Sequence, residues 1–317
     1  TFRFVAAFVG QFIVQFAVLR LVSVFGKGNE QIGWQWTMAV MAGLSVVLWL
    51  VTFATTKERV KPVKGQKNPL KQDLADLSKN VPWLLIGSAT IFQLLFNVIR
   101  GGSIMYYFKY FVQDQQLFLF GKPHSYSYQT LTSTFMLTGT LITIVGSLLT
   151  SFFSKRIGKS RSYWGFLGIS AICSALFFFL KPQDVVWMFL LQIIASFCMG
   201  PVSVLQWAIY TDTADYSEWR TGRRATALIM AVSLFALKLG IALGGSILAW
   251  ILDIYGFEAN VAQTARSLTG IRMVMSIYPA IAGMIGVILM TFYPLNNTKM
   301  LQIEKDLSAR RQETATE

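Results

Sequence analysis

Apolar runs of about twenty residues alternate with short polar stretches along the whole chain. Eight such runs are read, approximately Phe4 to Phe25, Trp34 to Thr55, Trp83 to Val112, Tyr128 to Phe153, Tyr163 to Leu180, Val185 to Thr211, Ala225 to Ile254 and Thr269 to Tyr293. Each is long enough to cross the roughly 30 Å hydrocarbon layer of a bilayer as a helix. The pattern therefore predicts an all-α membrane protein. The longest polar connection, residues 56–81, leaves two runs before it (1–55) and six after it (82–294), followed by a polar tail (295–317). Within that connection Pro62, Gly65 and Pro69 break the chain, and Leu70, Leu74, Leu77 and Val81 then recur at helical spacing among Lys71, Asp73, Asp76 and Lys79. This predicts a short amphipathic helix on the membrane surface, serving as a tether between domains.

Composition agrees: 54% of the residues are apolar and 14% charged, with 25 Phe and 9 Trp, more than a water-soluble domain of this size can bury. The net charge of +13 raises the question of nucleic acid, but its distribution answers it. Lysine and arginine gather on alternate connections. One set comprises Lys57, Arg59, Lys61, Lys64, Lys67, Lys71 and Lys79, then Lys155, Arg156, Lys159 and Arg161, then Arg220, Arg223 and Arg224, and Lys299, Lys305, Arg310 and Arg311 in the tail. The other side holds Lys27, Lys122, Lys181 and Arg266. The positive-inside rule makes the first set cytoplasmic, so both ends of the chain are expected inside. Trp34, Trp36 and Trp187 then fall at outer ends and Trp83 and Trp164 at inner ends, as membrane belts require. Basic residues dispersed in this way lack the aromatic-interleaved face of a nucleic-acid binder, and no nucleic-acid partner is expected. Cys173 and Cys198 lie inside runs, His124 is the only histidine, and no HExxH, CxxC or Ser/His/Asp set is present. Enzyme, metal-centre and cofactor readings accordingly have little to stand on. The chain begins at Thr1 without a methionine or leader and reads as part of a longer protein.

The informative residues are the polar ones inside or beside the runs. Lys238 sits near the middle of the seventh run, where a lysine costs roughly 2.5–3.5 kcal/mol. About twenty apolar residues return on the order of 6–12 kcal/mol, so the helix inserts, and the lysine is expected to face a partner or a wet cavity. The alternative, snorkelling, is strained at mid-span. Arg100 has a similar depth, followed by Gly101 and Gly102, which permit a helix irregularity. Its guanidinium suits the hydroxyls or a carboxylate of a polar solute, or else a structural ion pair between two halves of a larger molecule. Asn97 and Gln93 lie one and two turns earlier on the same face, for a polar solute or for interhelical hydrogen bonds. Tyr106 and Tyr107 offer a stacking face or a belt, while Lys109, Arg20 and Arg272 lie near run ends, where snorkelling suffices. In the sixth run Gly200 and Pro201 precede Ser203, Gln206 and Trp207, a kinked polar segment fit for a midplane site or simply for packing. Gly240 and Gly244 read as a helix contact. The polar stretch Asp212 to Arg224, drawn as a loop, alternates Asp212, Asp215 and Glu218 with Arg220, Arg223 and Arg224. It reads as a cytoplasmic gate of ion pairs, or as solvated surface charge. All acidic residues are assigned to loops, tails or run ends, with Asp253 the deepest.

Several of these residues carry a resemblance. Asp212, Asp215, Tyr216, Glu218, Trp219 and Gly222 to Arg224, together with Arg100, Gly101, Tyr106, Tyr107, Lys109 and Tyr110, Lys57 to Arg59, and Tyr293, Pro294, Leu295, Arg310 and Arg311, resemble the glycoside-pentoside-hexuronide:cation symporters. That group, which includes melibiose permease, lies within the major facilitator superfamily. Thr226 and Ala227 depart from the acidic residue and glycine common after the family's basic pair. The resemblance implies helices five to twelve of twelve, with residues 1–55 ending an N-terminal six-helix half, residues 56–81 a cytoplasmic central loop, residues 82–294 the C-terminal half and residues 295–317 a cytoplasmic tail. It implies a sugar:cation symporter of the inner membrane, driven by Na+ or H+ through alternating access, without a protein partner. Its sugar contacts would come from Gln93, Asn97, Arg100, Tyr106, Gln206, Trp207 and Lys238, and its cation carboxylates from helices preceding Thr1. A non-transporting sugar sensor or a transporter of another solute is the alternative.

Overall fold

A computed structural model describes residues 2–27, 29–57, 76–119, 122–222 and 226–316. Its contacts divide the chain into two units, one of residues 6–69 and one of residues 70–317 together with residues 1–5. Helix α1 (Phe2–Gly26) from residue 6 onward and α2 (Glu30–Thr55) lie in the first unit. Asn29 caps α2, its side chain accepting hydrogen bonds from the backbone N–H groups of Gln31 and Ile32. Trp49 is 75% exposed and Phe53 85%, an outer apolar surface that water would penalise and acyl chains would not.

The second unit begins with α3 (Val81–Tyr106), which Asn80 caps through Trp83 N–H with Pro82 in the first turn. A π-helical turn, Tyr107–Val112, follows. Strands β1 (Gln115–Leu119) and β2 (Lys122–Tyr126) then form an antiparallel hairpin in the stretch read as an outer loop. Next come α4 (Tyr128–Leu148), the short α5 (Thr150–Ile157), α6 (Lys159–Leu176) with a 3-10 turn at Phe177–Phe179, and α7 (Val185–Thr221). The unit ends with α8 (Thr226–Ile254), α9 (Ala265–Met275), α10 (Ile277–Thr291) and α11 (Asn297–Thr316). Among the described residues 8 helical segments are long and apolar enough to cross a membrane, and they coincide with the eight apolar runs.

The six spans of this unit pack in the order α4, α7, α6, α10, α3, α8, with α7 also touching α8. Small residues set the closest approaches. A Cβ on Gly146 of α4 would lie 2.1 Å from the carbonyl oxygen of Phe197 on α7, and one on Gly200 would lie 2.4 Å from the backbone nitrogen of Ser147. The Gly200–Pro201 step is therefore occupied by the backbone contact between α4 and α7. Gly240 and Gly244 of α8 press on Ile91, Leu94 and Val98 of α3, as their spacing predicts.

Four expectations change. The stretch from Asp212 is helical as far as Thr221, because nothing breaks the helix between Pro201 and Gly222, which supplies the left-handed C-terminal position at φ 69°. The run Tyr128 to Phe153 breaks at Leu149, separating α4 from α5. The third run is α-helical through Gly101 and Gly102, and its irregularity lies at residues 107–112 instead. The eighth run is broken at Ser276, between α9 and α10. Of the surface helix read at 70–81, residues 70–75 lie outside the described residues.

Candidate functional site

Polar side chains collect at three levels of the second unit. Nearest the middle of α3, Tyr210 on α7 donates from its hydroxyl to Thr90 Oγ1 at 2.7 Å, and Tyr163 on α6 donates to Gln93 Oε1 at 3.4 Å. Trp83 Nε1 donates to Ser233 Oγ of α8 at 3.2 Å. Gln206 is buried one turn before Tyr210, and its Nε2 finds no acceptor among the described residues. The Trp207 ring meets Tyr210 edge-on at 6.1 Å. Buried hydroxyls and amides in an apolar medium hold one another in place, since each loses water on burial. Gln93, Gln206 and Trp207 are thus brought together by α3, α6 and α7. Tyr163, Tyr210, Thr90 and Ser233 complete the cluster. Reading the sequence missed these four, and their only signal there is a hydroxyl inside an apolar run.

Arg100 lies seven residues beyond Gln93, roughly 10 Å along the helix. Its Nη2 donates to Gln192 Oε1 on α7 at 2.6 Å, and its guanidinium carbon stands 5.2 Å over the Phe177 ring. The side chain is 8% exposed and its Nε has no partner among the described residues. The guanidinium is thus turned toward α6 and α7 of its own unit, and the contact is with an amide rather than an acid. Asn97, between these levels, is half-buried. Tyr106 packs edge-on against Phe257 at 5.1 Å, and Tyr107 is fully buried among Phe108, Phe111 and Phe177. Arg272, expected to snorkel, is held between the Phe111 and Phe178 rings and donates to the Phe178 carbonyl. Lys109 donates to Asn260 Oδ1 at 2.6 Å.

Lys238 differs from all of these. It is exposed and makes no hydrogen bond or ion pair with any described residue. Gly240 and Gly244, on the opposite side of the same helix, are the residues that pack against α3.

The third level is the polar end of α7. Asp212, assigned to a loop by sequence, is a buried helical residue whose carboxylate accepts from Lys159 Nζ at 2.7 and 2.9 Å. Lys159 is the first residue of α6, so this pair ties the α5–α6 corner to α7. Asn80 donates to the carbonyl of Thr213, and Arg220 donates to that of Lys79, both bridging to the start of α3. The C-terminal helix closes the other side: Trp219 Nε1 donates to Asp306 Oδ2 at 2.8 Å, and Arg310 donates to the Trp219 carbonyl at 3.1 Å. Burial and the nearby Asp212 carboxylate push the Tyr293 phenol well above its ordinary range, so it stays a donor. Asp215 and Glu218 are half-buried, and Arg223 and Arg224 lie outside the described residues. The expected alternation of acids and bases within one loop thus becomes a joint between four helices. Asp253, expected to be the deepest acid, is exposed, whereas Asp212 is buried. Among the described residues no group of three or more His, Cys, Asp or Glu side chains is placed to hold a metal ion.

Comparison with known proteins places the chain in a family. The family described as "MFS/sugar transport protein" matches residues 1–297. The putative glycoside/cation symporter YagG of Escherichia coli (strain K12) is 30% identical over 314 residues, covering 98% of this chain and 65% of that protein. The inner membrane symporter YicJ of the same organism is 28% identical over 310 residues, covering 97% of this chain and 64% of that protein. The isoprimeverose transporter of Lactiplantibacillus pentosus is 29% identical over 293 residues, covering 90% of this chain and 58% of that protein. The chain spans just under two thirds of the length of the first two of these relatives.

Proposed function

The chain belongs to the MFS/sugar transport protein family, and we propose on that premise that its parent protein is a secondary sugar transporter of the inner membrane. It would carry a glycoside, oligosaccharide or uronide together with Na+ or H+, by alternating access around a midplane site. The relatives named as symporters support the coupling. The positive connections, 57–79, 155–161, 220–224 and the tail, would face the cytoplasm.

The observation that carries this reading is Lys238. A mid-span ammonium with no partner among the described residues, on the side of α8 away from the α3 contact, needs water, a carboxylate or a solute beside it. A solute pathway supplies all three. Gln93, Gln206 and Trp207 contribute donors, acceptors and an aromatic face at the middle of the same unit, while Asn97 and Tyr106 flank them. The Asp212–Lys159 pair, with Asp215, Glu218, Arg220, Arg223 and Arg224, would act as the cytoplasmic gate. Its contacts would form in one access state and break in the other.

The test is uptake by the complete parent protein in proteoliposomes, with labelled glucosides, galactosides, xylosides and glucuronides under imposed Na+ or H+ gradients. Uphill accumulation of one sugar under one gradient establishes symport and names both partners. A folded, inserted protein that accumulates none of them overturns the sugar reading and leaves a sensor or a different solute.

A further inference from the structure

The connection between α8 and α9, residues 255–264, is fastened at both ends and clasped to α3 in between. Gly256, at φ 71°, ends α8: its N–H donates to the Asp253 carbonyl at 2.8 Å, and that of Phe257 donates to the Leu252 carbonyl at 3.0 Å. This pair of bonds fixes the direction in which Phe257 leaves the helix. At the other end Thr264 caps α9 through the Ser267 N–H, and Arg266 donates back to the Ile254 carbonyl at 2.9 Å. The middle, Glu258 to Ala262, is exposed and can lift away without opening a core.

Two residues of this connection grip the end of α3 opposite Asn80. The Phe257 ring stands edge-on to Tyr106 at 5.1 Å and to Tyr110 at 5.4 Å. Asn260, in the left-handed region at φ 62°, accepts from Lys109 Nζ at 2.6 Å through its side chain, and its backbone N–H donates to Tyr110 Oη at 2.9 Å. Lys109 and Tyr110 belong to the π turn Tyr107–Val112, after which the Gln113 N–H reaches the Phe108 carbonyl five residues back. These contacts therefore fall on the stretch of α3 that departs from α geometry and on the residue just before it.

π turns are rare and occur mostly as single turns within α-helices, so a contact from outside the helix can select the wider register. Rewinding to about 3.6 residues per turn would swing Lys109 and Tyr110 round the helix axis and away from Asn260. We propose that the connection and the π turn form one two-state element. Docked, the connection holds residues 107–112 in the π register and packs Phe257 on Tyr106. Released, the turn rewinds to α and the Tyr106 ring is freed. Its role as a latch, closing and opening the Tyr106 side of the solute site, rests on the transport reading; the coupling between connection and turn does not.

Amide hydrogen exchange of the complete parent protein in nanodiscs, read by mass spectrometry, tests the coupling without any solute. Phe257→Ala is expected to speed exchange about tenfold in residues 107–113 as well as in 255–264, the worth of its two ring contacts. Tyr110→Phe keeps the ring and removes only the acceptor of the Asn260 N–H, and about threefold faster exchange in both segments is expected, the worth of one hydrogen bond. Exchange in residues 89–104 should stay at the wild-type rate in both variants, which shows that α3 remains folded. Faster exchange confined to residues 255–264 overturns the proposal, because the connection then frays on a helix that does not respond. Acceleration shared by residues 89–104 overturns it as well, as a general loss of stability. Coupled acceleration in a parent protein that moves none of the labelled sugars upholds the two-state element and removes only its part in transport.

Discussion

Arg100 and Lys238 look alike in sequence, each a lone cation deep in an apolar run, yet the structure gives them opposite surroundings. Arg100 is 8% exposed, turned inward onto Gln192 and Phe177, while Lys238 is exposed and has no partner among the described residues. The difference lies in which face of the helix each occupies. Arg100 belongs to the buried face of α3. Lys238 sits across α8 from the glycines that make its contact. A mid-membrane charge is therefore not evidence of a transport role until its direction is known. The inward one is engaged within its own unit, and the outward one is left to meet whatever lies beside the helix.

That contrast can be broken in four places. The interior around Gln192 depends on α4 and α7 meeting backbone to backbone, so Gly146→Leu should be the most damaging change. A Cβ there already falls 2.1 Å from a carbonyl oxygen, and a loss of about 3 kcal/mol is expected, seen as failure to recover folded protein in detergent. Arg100→Leu should follow, lowering stability by about 1–3 kcal/mol because Gln192 Oε1 loses its donor. Adding Gln192→Leu should recover part of that loss, since an apolar pair leaves nothing unsatisfied. A double variant that melts like wild type but no longer transports would place Arg100 at the solute and end the contrast.

Lys238→Ala should show the reverse profile. Its melting should shift by no more than about 0.5 kcal/mol in equivalent stability, while uptake falls at least about tenfold. Intact uptake with intact cation dependence would remove Lys238 from the pathway. The smallest effect is expected from Arg220→Ala, whose exposed guanidinium bonds only the Lys79 carbonyl among the described residues, worth about 0.5 kcal/mol by thermal melting. A marked change in exchange kinetics with unchanged melting would instead assign Arg220 to the gate.

Much of the fold was legible because bilayer-spanning helices are local objects. All eight runs became helical segments long and apolar enough to span. The pairing of Gly240 and Gly244 with a neighbouring helix was equally readable from spacing. The candidate site was legible only as a set of residue types. Gln93, Gln206 and Trp207 do meet, but through Tyr163 and Tyr210, which nothing in the local pattern separates from other aromatics. Polarity alone misplaced Asp212, since a charged stretch reads as a loop whether or not its helix continues.

What the sequence by itself determined is the number of spans, the distribution of positive charge and the family pattern, because length, hydropathy and residue order require no knowledge of neighbours. Only the tertiary structure decided which way each polar side chain points. It turned Arg100 onto Gln192 and paired Asp212 with Lys159 across 53 residues. The physical reason is that a buried polar group is satisfied by whatever lies across the helix interface, and that partner is set by packing rather than by its own neighbours in the chain.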